Sequence, residues 1–463
     1  MAQELVKKCL SAVLKDAKVN SLTSFHTADS IKHSLKELAT KNARDLPLNN
    51  RILTVKDNLC TNYWPTSCGS RYLSDYISPF EATLVKTLKE NGGIIIGKTN
   101  MDEFAMGTST NNALYGQTVF QLSEDKDKLY QVGGSSGGSS ASVAADICYA
   151  SIGTDTGGSV RLPAAYIGCI GFKPSYGRIS RYGAVPFANS MDTMGIMAKD
   201  FDGITSVFDL LNRTDPKDAT CLSEKMRMKI DRHCQKYKNH ETPSIIGVPT
   251  DWNVVEMDNE VLSKWNEFIS LLKSRGHLIK EVHLPSSLYG VSIYTSLAYA
   301  EGASNLARYN NSIFGPISQD KRHELSPRSA NFGEEVKKRL LLGAYSLSSG
   351  KKIGFYRKAQ LLRRAVQKEF NACFRIPSLH ALDPSGDIDF IVTPSFLKPS
   401  MPIGSKTSSD FLSDSMLVPA NLAGLPSISI PFGQVHNGLP MGIQLISQYG
   451  DDNSLLSFSR AFC

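Results

Sequence analysis

The sequence lacks the features by which membrane proteins, zinc-binding proteins and disulfide-stabilised proteins are usually identified. No apolar run approaches the roughly 18 residues that a membrane-spanning helix needs, and no signal-peptide core opens the 463-residue chain. The nine cysteines are scattered between Cys9 and Cys463 without a C-x-x-C pair, a spacing that indicates neither a zinc site nor a disulfide framework. We therefore expect no membrane span, no bound metal and a reducing compartment.

A strong charge of one sign is also missing. The net charge of +7 arises from 51 basic and 44 acidic residues, which is little for a chain of this length. The densest basic runs, at 225–238 and 351–368, alternate with apolar residues as solvated helix faces do. A nucleic-acid surface is therefore not predicted. The glycine-serine run at 132–142 lacks the Gly-Lys-Ser/Thr ending of a phosphate-binding loop, so we expect no nucleotide cofactor in this chain.

Hydrophobic patterning predicts a single α/β domain over residues 1–463. A strand is predicted at 51–58, followed by a helix with Ser78 as its N-terminal cap. Residues 216–380 are more helical and charged, which predicts a helical lobe on a sheet built from about 50–215 and 385–460. The further predicted strands are 94–100, 147–155, 244–250, 390–394, 427–433 and 442–448.

Two glycine-serine segments, at 132–142 and 154–159, stand inside otherwise ordinary core-forming sequence. The first contains the G-x-S-x-G pattern of a nucleophilic serine, which is a weak signal in a segment made mainly of two residue types. A serine activated by histidine also needs a suitably placed histidine, and none lies between His33 and His233. The later histidines stand in no setting that marks a base, so another residue must deprotonate the serine.

Lys56 is the candidate base. A lysine accepts a proton near neutral pH only when burial or nearby positive charge lowers its pKa from about 10.4. Lys56 stands at the end of a predicted strand, where a sheet can bury it. Taken alone, such a lysine is usually a structural or surface residue, so a catalytic role for Lys56 depends on the motifs that accompany it in the sequence.

Four motifs in this order, TVKDN, GKTNMDEFAMGTST, GGSSGGSSASVAA and SIGTDTGGSVRLPAA, closely resemble those of the amidase-signature family of Ser-Ser-Lys amidohydrolases. The C-terminal segments PANLAGLPSISIPFG and LPMGIQLIS extend the resemblance over nearly the whole chain. The family implies an α/β fold with a large central mixed sheet covered by helices on both faces. Within the family, MDEFAMGTST and SYGRISRYG are most similar to the glutaminase subunits of tRNA-dependent amidotransferases.

The resemblance implies a role for each residue of a catalytic triad. Ser159 matches the acyl nucleophile, Ser135 matches the bridging serine, and Lys56 matches the terminal base. The two serines and the lysine would then do the work of a serine, a histidine and an aspartate elsewhere.

The glycines of the second segment suit an oxyanion hole. Thr156, Gly157 and Gly158 are expected to turn backbone N–H groups toward one point, which needs no side chains and tolerates no bulk. The resemblance further implies a cis peptide between Gly134 and Ser135.

The substrate residues follow from the resemblance and from charge. Glutamine needs an acidic partner for its α-amino group and a basic partner for its α-carboxylate. Asp414 matches the family's amino-binding aspartate and Arg339 its carboxylate-binding arginine, while Tyr294 is a candidate for the pocket wall. The alternative for Arg339 is a solvated helix residue.

The resemblance implies a glutaminase that hydrolyses glutamine and delivers ammonia to a partner. The expected partners are a tRNA-binding kinase/amidase subunit of the B type, which would hold ATP and Mg, and a small accessory subunit. Transfer RNA would be bound only through the complex. Two alternatives remain: a free-standing amidase for another small carboxamide, and a non-catalytic assembly subunit.

Several departures separate the chain from bacterial members. The region before Lys56 is short and lacks the expected Gly-Ile-Pro, and the segment between Thr118 and the first serine loop is longer than usual. This form is similar to mitochondrial versions, which predicts the mitochondrial matrix, with the cytoplasm as the alternative. The lysine-rich N-terminal helix pattern allows a weak targeting signal or simply a first helix.

Overall fold

The computed structural model describes residues 2–25, 46–122, 128–238, 243–310, 327–348, 354–379, 385–405, 414–436 and 438–463. The strands are β1 Leu22–Phe25, β2 Ile52–Lys56, β3 Ile94–Thr99, β4 Asn111–Asn112, β5 Gly116–Gln117, β6 Val119–Gln121, β7 Leu129–Gln131, β8 Ala150–Asp155, β9 Ile170–Lys173, β10 Thr193–Ala198, β11 Ile245–Pro249, β12 Leu278–Val282, β13 Phe390–Pro394, β14 Ser427–Val435 and β15 Leu439–Ile446. The helices are α1 Ala2–Asp16, α2 Thr83–Glu90, α3 Gly137–Ala144, α4 Arg161–Ile167, α5 Phe201–Leu211, α6 Glu224–Tyr237, α7 Asn259–Ser274, α8 Gly290–Leu306, α9 Pro327–Asn331, α10 Glu334–Leu347, α11 Phe355–Cys373, α12 Val418–Ala423 and α13 Asp452–Arg460.

Eleven strands form one mixed sheet in the order β1-β3-β2-β8-β10-β9-β14-β15-β13-β11-β12. Strand β2 runs parallel to both β3 and β8, and β11 runs parallel to β12 and β13. The other pairs in the sheet are antiparallel. The predicted α/β class with a large mixed sheet is confirmed, and strands from both ends of the sequence meet in its centre.

The segment at 216–380 is less purely helical than the sequence predicts. It carries helices α6 to α11, but it also adds strand β11, which the sequence predicts, and strand β12, which it does not. In β12 only Val282 is buried, because the strand lies at the outer edge of the sheet. An edge strand with one buried residue leaves little hydrophobic pattern in the sequence.

The predicted helix cap at Ser78 is wrong. The Ser78 hydroxyl donates to the Phe80 carbonyl at 2.7 Å and accepts the Phe80 N–H at 3.3 Å, so it closes a local turn. Helix α2 begins only at Thr83, with Ala82 in the cap position. Serine side chains bind nearby backbone in turns as readily as at helix caps, and here the turn prevails.

A buried ion pair between Asp155 and Arg161 is connected by further hydrogen bonds to C-terminal parts of the chain. The Arg161 guanidinium donates to both oxygens of Asp155, at 3.0 Å and 2.9 Å, and both side chains are fully buried. The same guanidinium donates to the Leu417 carbonyl at 3.0 Å, to Gln444 Oε1 at 2.6 Å and to Asn421 Oδ1 at 2.5 Å. Burial raises the pKa of Asp155, but the charge of Arg161 outweighs it and holds that pKa well below its usual range.

All nine cysteines lie within the described residues, and none is paired in a disulfide. In the same parts of the chain, no helix has both the length and the apolar character that crossing a bilayer requires.

Replacing Arg161 by methionine should destabilise the fold strongly, because it leaves the Asp155 carboxylate buried without its cation. We expect Arg161→Met to lower the free energy of unfolding by about 3–5 kcal/mol, measured by urea denaturation followed by circular dichroism. The matched control is Arg460→Met, which breaks an exposed pair with Asp202 and should change stability by less than about 1 kcal/mol. Equal losses of unfolding free energy in Arg161→Met and Arg460→Met would contradict a special stabilising role for the buried ion pair.

Candidate active site

The predicted triad lies at the carboxyl ends of two adjacent strands of the sheet. Lys56 is the last residue of β2, and Ser159 follows the end of β8, the parallel neighbour of β2. Adjacent parallel strands have their carboxyl ends on the same side of the sheet, so these two residues lie near each other. Ser135 stands just before α3, and the Ser136 N–H donates to the Ser159 carbonyl at 3.1 Å, which ties the two serine loops together.

The Lys56 amine is held by hydroxyl groups. Its Nζ lies 2.8 Å from Ser135 Oγ, 2.8 Å from Ser136 Oγ and 2.9 Å from Thr154 Oγ1. The side chain is fully buried. The Ser135 contact is the one that the sequence predicts, whereas sequence reasoning misses Ser136 and Thr154. Nothing in the sequence distinguishes Ser136 from the other serines of its run.

Burial lowers the pKa of Lys56 from its usual 10.5 to about 7, although the nearby carboxylates of Asp102, Asp155 and Asp192 raise it. A pKa in this range leaves a substantial fraction of the amine neutral at neutral pH. A neutral amine in contact with a serine hydroxyl can accept the serine's proton.

The peptide between Gly134 and Ser135 is cis, as the family resemblance implies. Ser135 is completely buried beside the lysine, while Ser159 is only partly buried. Ser159 lines a small cavity together with Gly134. The more accessible serine is therefore the one that borders the cavity.

The predicted oxyanion hole needs one revision. The Gly158 N–H donates to Asp155 Oδ1 at 2.9 Å and is already engaged. The backbone N–H groups of Thr156, Gly157 and Ser159 have no hydrogen-bond acceptor among the described residues. These three groups, rather than Gly158, can receive an oxyanion at the Ser159 loop.

The small cavity brings together every predicted substrate residue. Tyr294, Arg339 and Asp414 all line it with Ser159, although they lie far apart in the sequence. The volume of the cavity is about 20 Å³, which is room for about one water molecule. The sequence does not identify six further wall residues, which are Ala105, Met106, Gly107, Thr108, Phe187 and Tyr299.

Arg339 is a buried residue of α10, so it is not the solvated helix residue of the alternative interpretation. Only 6% of it is exposed, its Nη1 donates to Glu335 Oε2 at 2.5 Å, and its guanidinium lies 5.6 Å from the centre of the Tyr299 ring. Burial lowers the pKa of Arg339, but the nearby Tyr299 and Glu335 raise it by more. The net pKa lies above its usual value, and the guanidinium stays charged. Asp414 is partly buried and begins a short 3₁₀ turn.

The Tyr294 ring covers the Gly157 backbone. A Cβ atom on Gly157 would stand 2.8 Å and 2.9 Å from two ring carbons, so only glycine fits there. Burial raises the pKa of the Tyr294 hydroxyl well above its usual range, and the hydroxyl remains neutral.

A larger cavity of about 320 Å³ adjoins the site. Thr154 and Thr156 line it, and it shares Ala105 and Phe187 with the small cavity. The two cavities share part of their walls, and of the two only the smaller is lined by Ser159.

Known proteins with similar sequences identify the family of this chain. A family model described as Amidase matches residues 4–456. The A subunit of the mitochondrial glutamyl-tRNA(Gln) amidotransferase of Schizosaccharomyces pombe is 53% identical over 467 residues, which covers 100% of this chain and 98% of that protein. The protein of the same name from Emericella nidulans is 39% identical over 444 residues, covering 88% of each.

A crystal structure gives the same result at the level of the fold. The A subunit of the glutamyl-tRNA(Gln) amidotransferase of Thermotoga maritima has a TM-score of 0.76 and 31% identity, covering 98% of this chain and 90% of that one. The motifs, the fold and these relatives agree over nearly the full length. The chain therefore belongs to the amidase family.

Proposed function

We propose that this chain is the glutaminase subunit of a glutamyl-tRNA(Gln) amidotransferase. The observation that carries the proposal is the fully buried Lys56 amine, 2.8 Å from Ser135, at the edge of the sheet where Ser159 borders a cavity. The names of the full-length relatives supply the biological context.

The reaction begins when Ser159 Oγ attacks the side-chain carboxamide carbon of glutamine. Its proton passes through the Ser135 hydroxyl to neutral Lys56, and the backbone N–H groups of Thr156 and Gly157 bind the oxyanion. As the C–N bond breaks, the Lys56 proton returns through Ser135 to the leaving nitrogen and releases ammonia. Water then hydrolyses the acyl-serine by the same proton path and yields glutamate.

Two charged side chains select glutamine among amides. Arg339 binds the α-carboxylate and Asp414 binds the α-amino group, with Tyr294 as part of the wall. Both charged residues line the cavity that contains Ser159. The α-carboxylate and α-ammonium groups of glutamine match these two opposite charges, whereas a simple carboxamide carries neither group. The pair therefore favours glutamine over the substrate of a free-standing amidase. The contact between Lys56 and Ser135 disfavours a non-catalytic assembly subunit.

The complex would complete the reaction. A B-type subunit binds ATP, Mg and the aminoacyl-tRNA, activates the tRNA-borne carboxylate and receives the ammonia, and a small accessory subunit joins them. This chain needs no cofactor for its own step. We place the complex in the mitochondrial matrix, in keeping with the mitochondrial relatives of two fungi, and the cytoplasm is the alternative.

The complex is tested by expressing the chain either alone or together with the B-type subunit. Conversion of Glu-tRNA(Gln) to Gln-tRNA(Gln) is then followed with glutamine as donor. We expect the conversion only when both proteins are present, together with co-purification and faster glutamine hydrolysis. Brisk hydrolysis by the chain alone, without stimulation or co-purification, would overturn the proposal.

The role of Lys56 predicts a pH dependence. Its pKa of about 7 means that the amine is protonated and inactive below this pH, so kcat/KM should rise with pH through about 7 and then level off. Lys56→Arg should lose about 10²–10⁴-fold in kcat/KM at every pH, because a guanidinium stays protonated.

The matched control for Lys56→Arg is Lys173→Met. Burial lowers the pKa of Lys173 to about 7 as well, but its amine donates to the Pro174 carbonyl at 3.2 Å and it does not line the cavity. Lys173→Met should therefore keep the rise of kcat/KM with pH, which we call the acid limb of the profile. A fully active Lys56→Arg enzyme would show that the lysine acts only through its charge.

The role of Asp414 predicts a difference between two substrates. Asp414→Asn should raise the KM for glutamine by about 10- to 100-fold, because the α-ammonium loses its anionic partner. The matched substrate is glutaramate, which is glutamine without the α-amino group, and its KM should hardly change. Equal increases for both substrates, measured by ammonia release, would remove Asp414 from the amino-binding site.

A further inference from the structure

Asp102 places a carboxylate directly behind the wall of the small cavity. Gly107 and Gly134 line that cavity. A Cβ atom on Gly134 would stand 2.1 Å from Asp102 Oδ2, and one on Gly107 would stand 2.4 Å from Asp102 Oδ1. The carboxylate therefore fills the side-chain space of both glycines, and neither position tolerates a larger residue.

The polar contacts of Asp102 reach the bridging serine. Its backbone N–H donates to the Ser135 carbonyl at 3.3 Å, and its Oδ1 accepts the Asn111 N–H at 3.2 Å. Its Oδ2 is buried and has no hydrogen-bond partner among the described residues. Only 3% of Asp102 is exposed, and leaving such an oxygen unpaired is unfavourable unless its charge serves another group.

Two cations attract this charge without contacting it. Burial raises the pKa of the Asp102 carboxyl, while the backbone N–H groups of Thr110 and Asn111, and then the charges of Lys56 and Arg339, act to lower it. Among the described ion pairs, none within 4.0 Å involves Asp102. The carboxylate thus acts on the lysine and on the pocket arginine through space.

We propose that Asp102 is a positioning residue that holds the Ser135 peptide and places a buried negative charge behind the loop that contacts the Lys56 base. This inference rests on the proposed function, because it takes Lys56 as the base. A fully buried amine without a nearby anion would hold its proton too weakly to draw one from a serine and return it to the leaving ammonia.

The other groups facing Lys56 are already occupied. Burial lowers its pKa, while Asp102, Asp155, Asp192 and Cys68 raise it. Asp155 is neutralised by its ion pair with Arg161.

Asp192 is occupied by hydrogen bonds. It accepts the Thr156 hydroxyl at 2.7 Å and the N–H groups of Phe187 at 2.9 Å and Ala188 at 3.0 Å. Cys68 is an uncharged thiol, because burial raises its pKa well above the usual range. Among these groups Asp102 raises the pKa of Lys56 most, ahead of Asp155 and Asp192.

The test uses methanesulfonyl fluoride, a small reagent that reports on base activation whatever the amide substrate is. Ser159 Oγ bonds to sulfur, fluoride leaves, and the serine proton passes through Ser135 to Lys56. The labelling rate is measured against pH, and peptide mass mapping verifies that Ser159 carries the label.

Asp102→Asn keeps the shape of the side chain and removes its charge. Loss of the anion destabilises the Lys56 ammonium, so the amine is neutral at lower pH. The acid limb of the labelling profile should therefore move down by about 1 pH unit. Asp102→Ser, which is smaller and cannot press on either glycine, should give the same shift if the asparagine variant folds poorly.

The matched control is Asp452→Asn. Asp452 is 2% exposed and accepts the N–H and the hydroxyl of Ser175 at 2.7 Å and 2.8 Å, outside the cavity. This variant should lose stability without moving the acid limb, as a purely structural role would.

An unchanged or upward-shifted limb in both Asp102 variants would overturn the inference while leaving the proposed function intact. Failure of the proposed function has a different signature, because Lys56→Arg would then label Ser159 as fast as the unaltered protein does. Rapid labelling of a serine other than Ser159 would likewise refute the triad and not only the role of Asp102.

Discussion

The burial of one amine imposes most of the local architecture. Lys56 needs a dry environment to stay neutral near pH 7, yet a buried amine must also satisfy its hydrogen-bonding capacity. Hydroxyl groups from one serine loop and from the neighbouring strand β8 meet this need without adding charge. Glycines then let the loops approach closely enough, since a Cβ atom on Gly138 would stand 2.4 Å from the Asn100 carbonyl oxygen and one on Gly153 would stand 2.8 Å from Ser136 Oγ. The richness in serine and glycine therefore follows from close packing around the base.

The sequence predicts the parts of the site that depend on order along the chain. The strand ending at Lys56 and the two serine loops are recognisable because hydrophobic pattern and motif coincide there. Parts that depend on the direction of a single backbone group are not predictable in this way. The diversion of the Gly158 N–H to Asp155 and the contact of Thr154 with the lysine exist only once β8 and its loop have folded. Strand β12 escapes prediction for a related reason, because an exposed edge carries little apolar pattern.

The substrate pocket is predictable through resemblance and not through chemistry visible in the chain. Arg339 and Asp414 are separated by many residues, and both regions look like ordinary polar segments. Their meeting at one cavity depends on how α10 and the turn before α12 pack over the serine loop. The cavity, at about 20 Å³, is far smaller than glutamine, and Tyr294, Tyr299 and Phe187 form the aromatic part of its wall. The charged side chains proposed to select the substrate and the aromatic side chains therefore line the same small space.

The ion pair between Asp155 and Arg161 also has a consequence for folding during protein synthesis. Asp155 fixes the nucleophile loop through the Gly158 N–H, while Arg161 is anchored by Leu417, Asn421 and Gln444 near the C-terminus. A chain leaving the ribosome holds Lys56 and both serines long before these anchors exist. The loop acquires its final shape only when the last strands have joined the sheet. A chain that ends before Leu417 therefore lacks the contacts that anchor Arg161 and, through Asp155, the nucleophile loop.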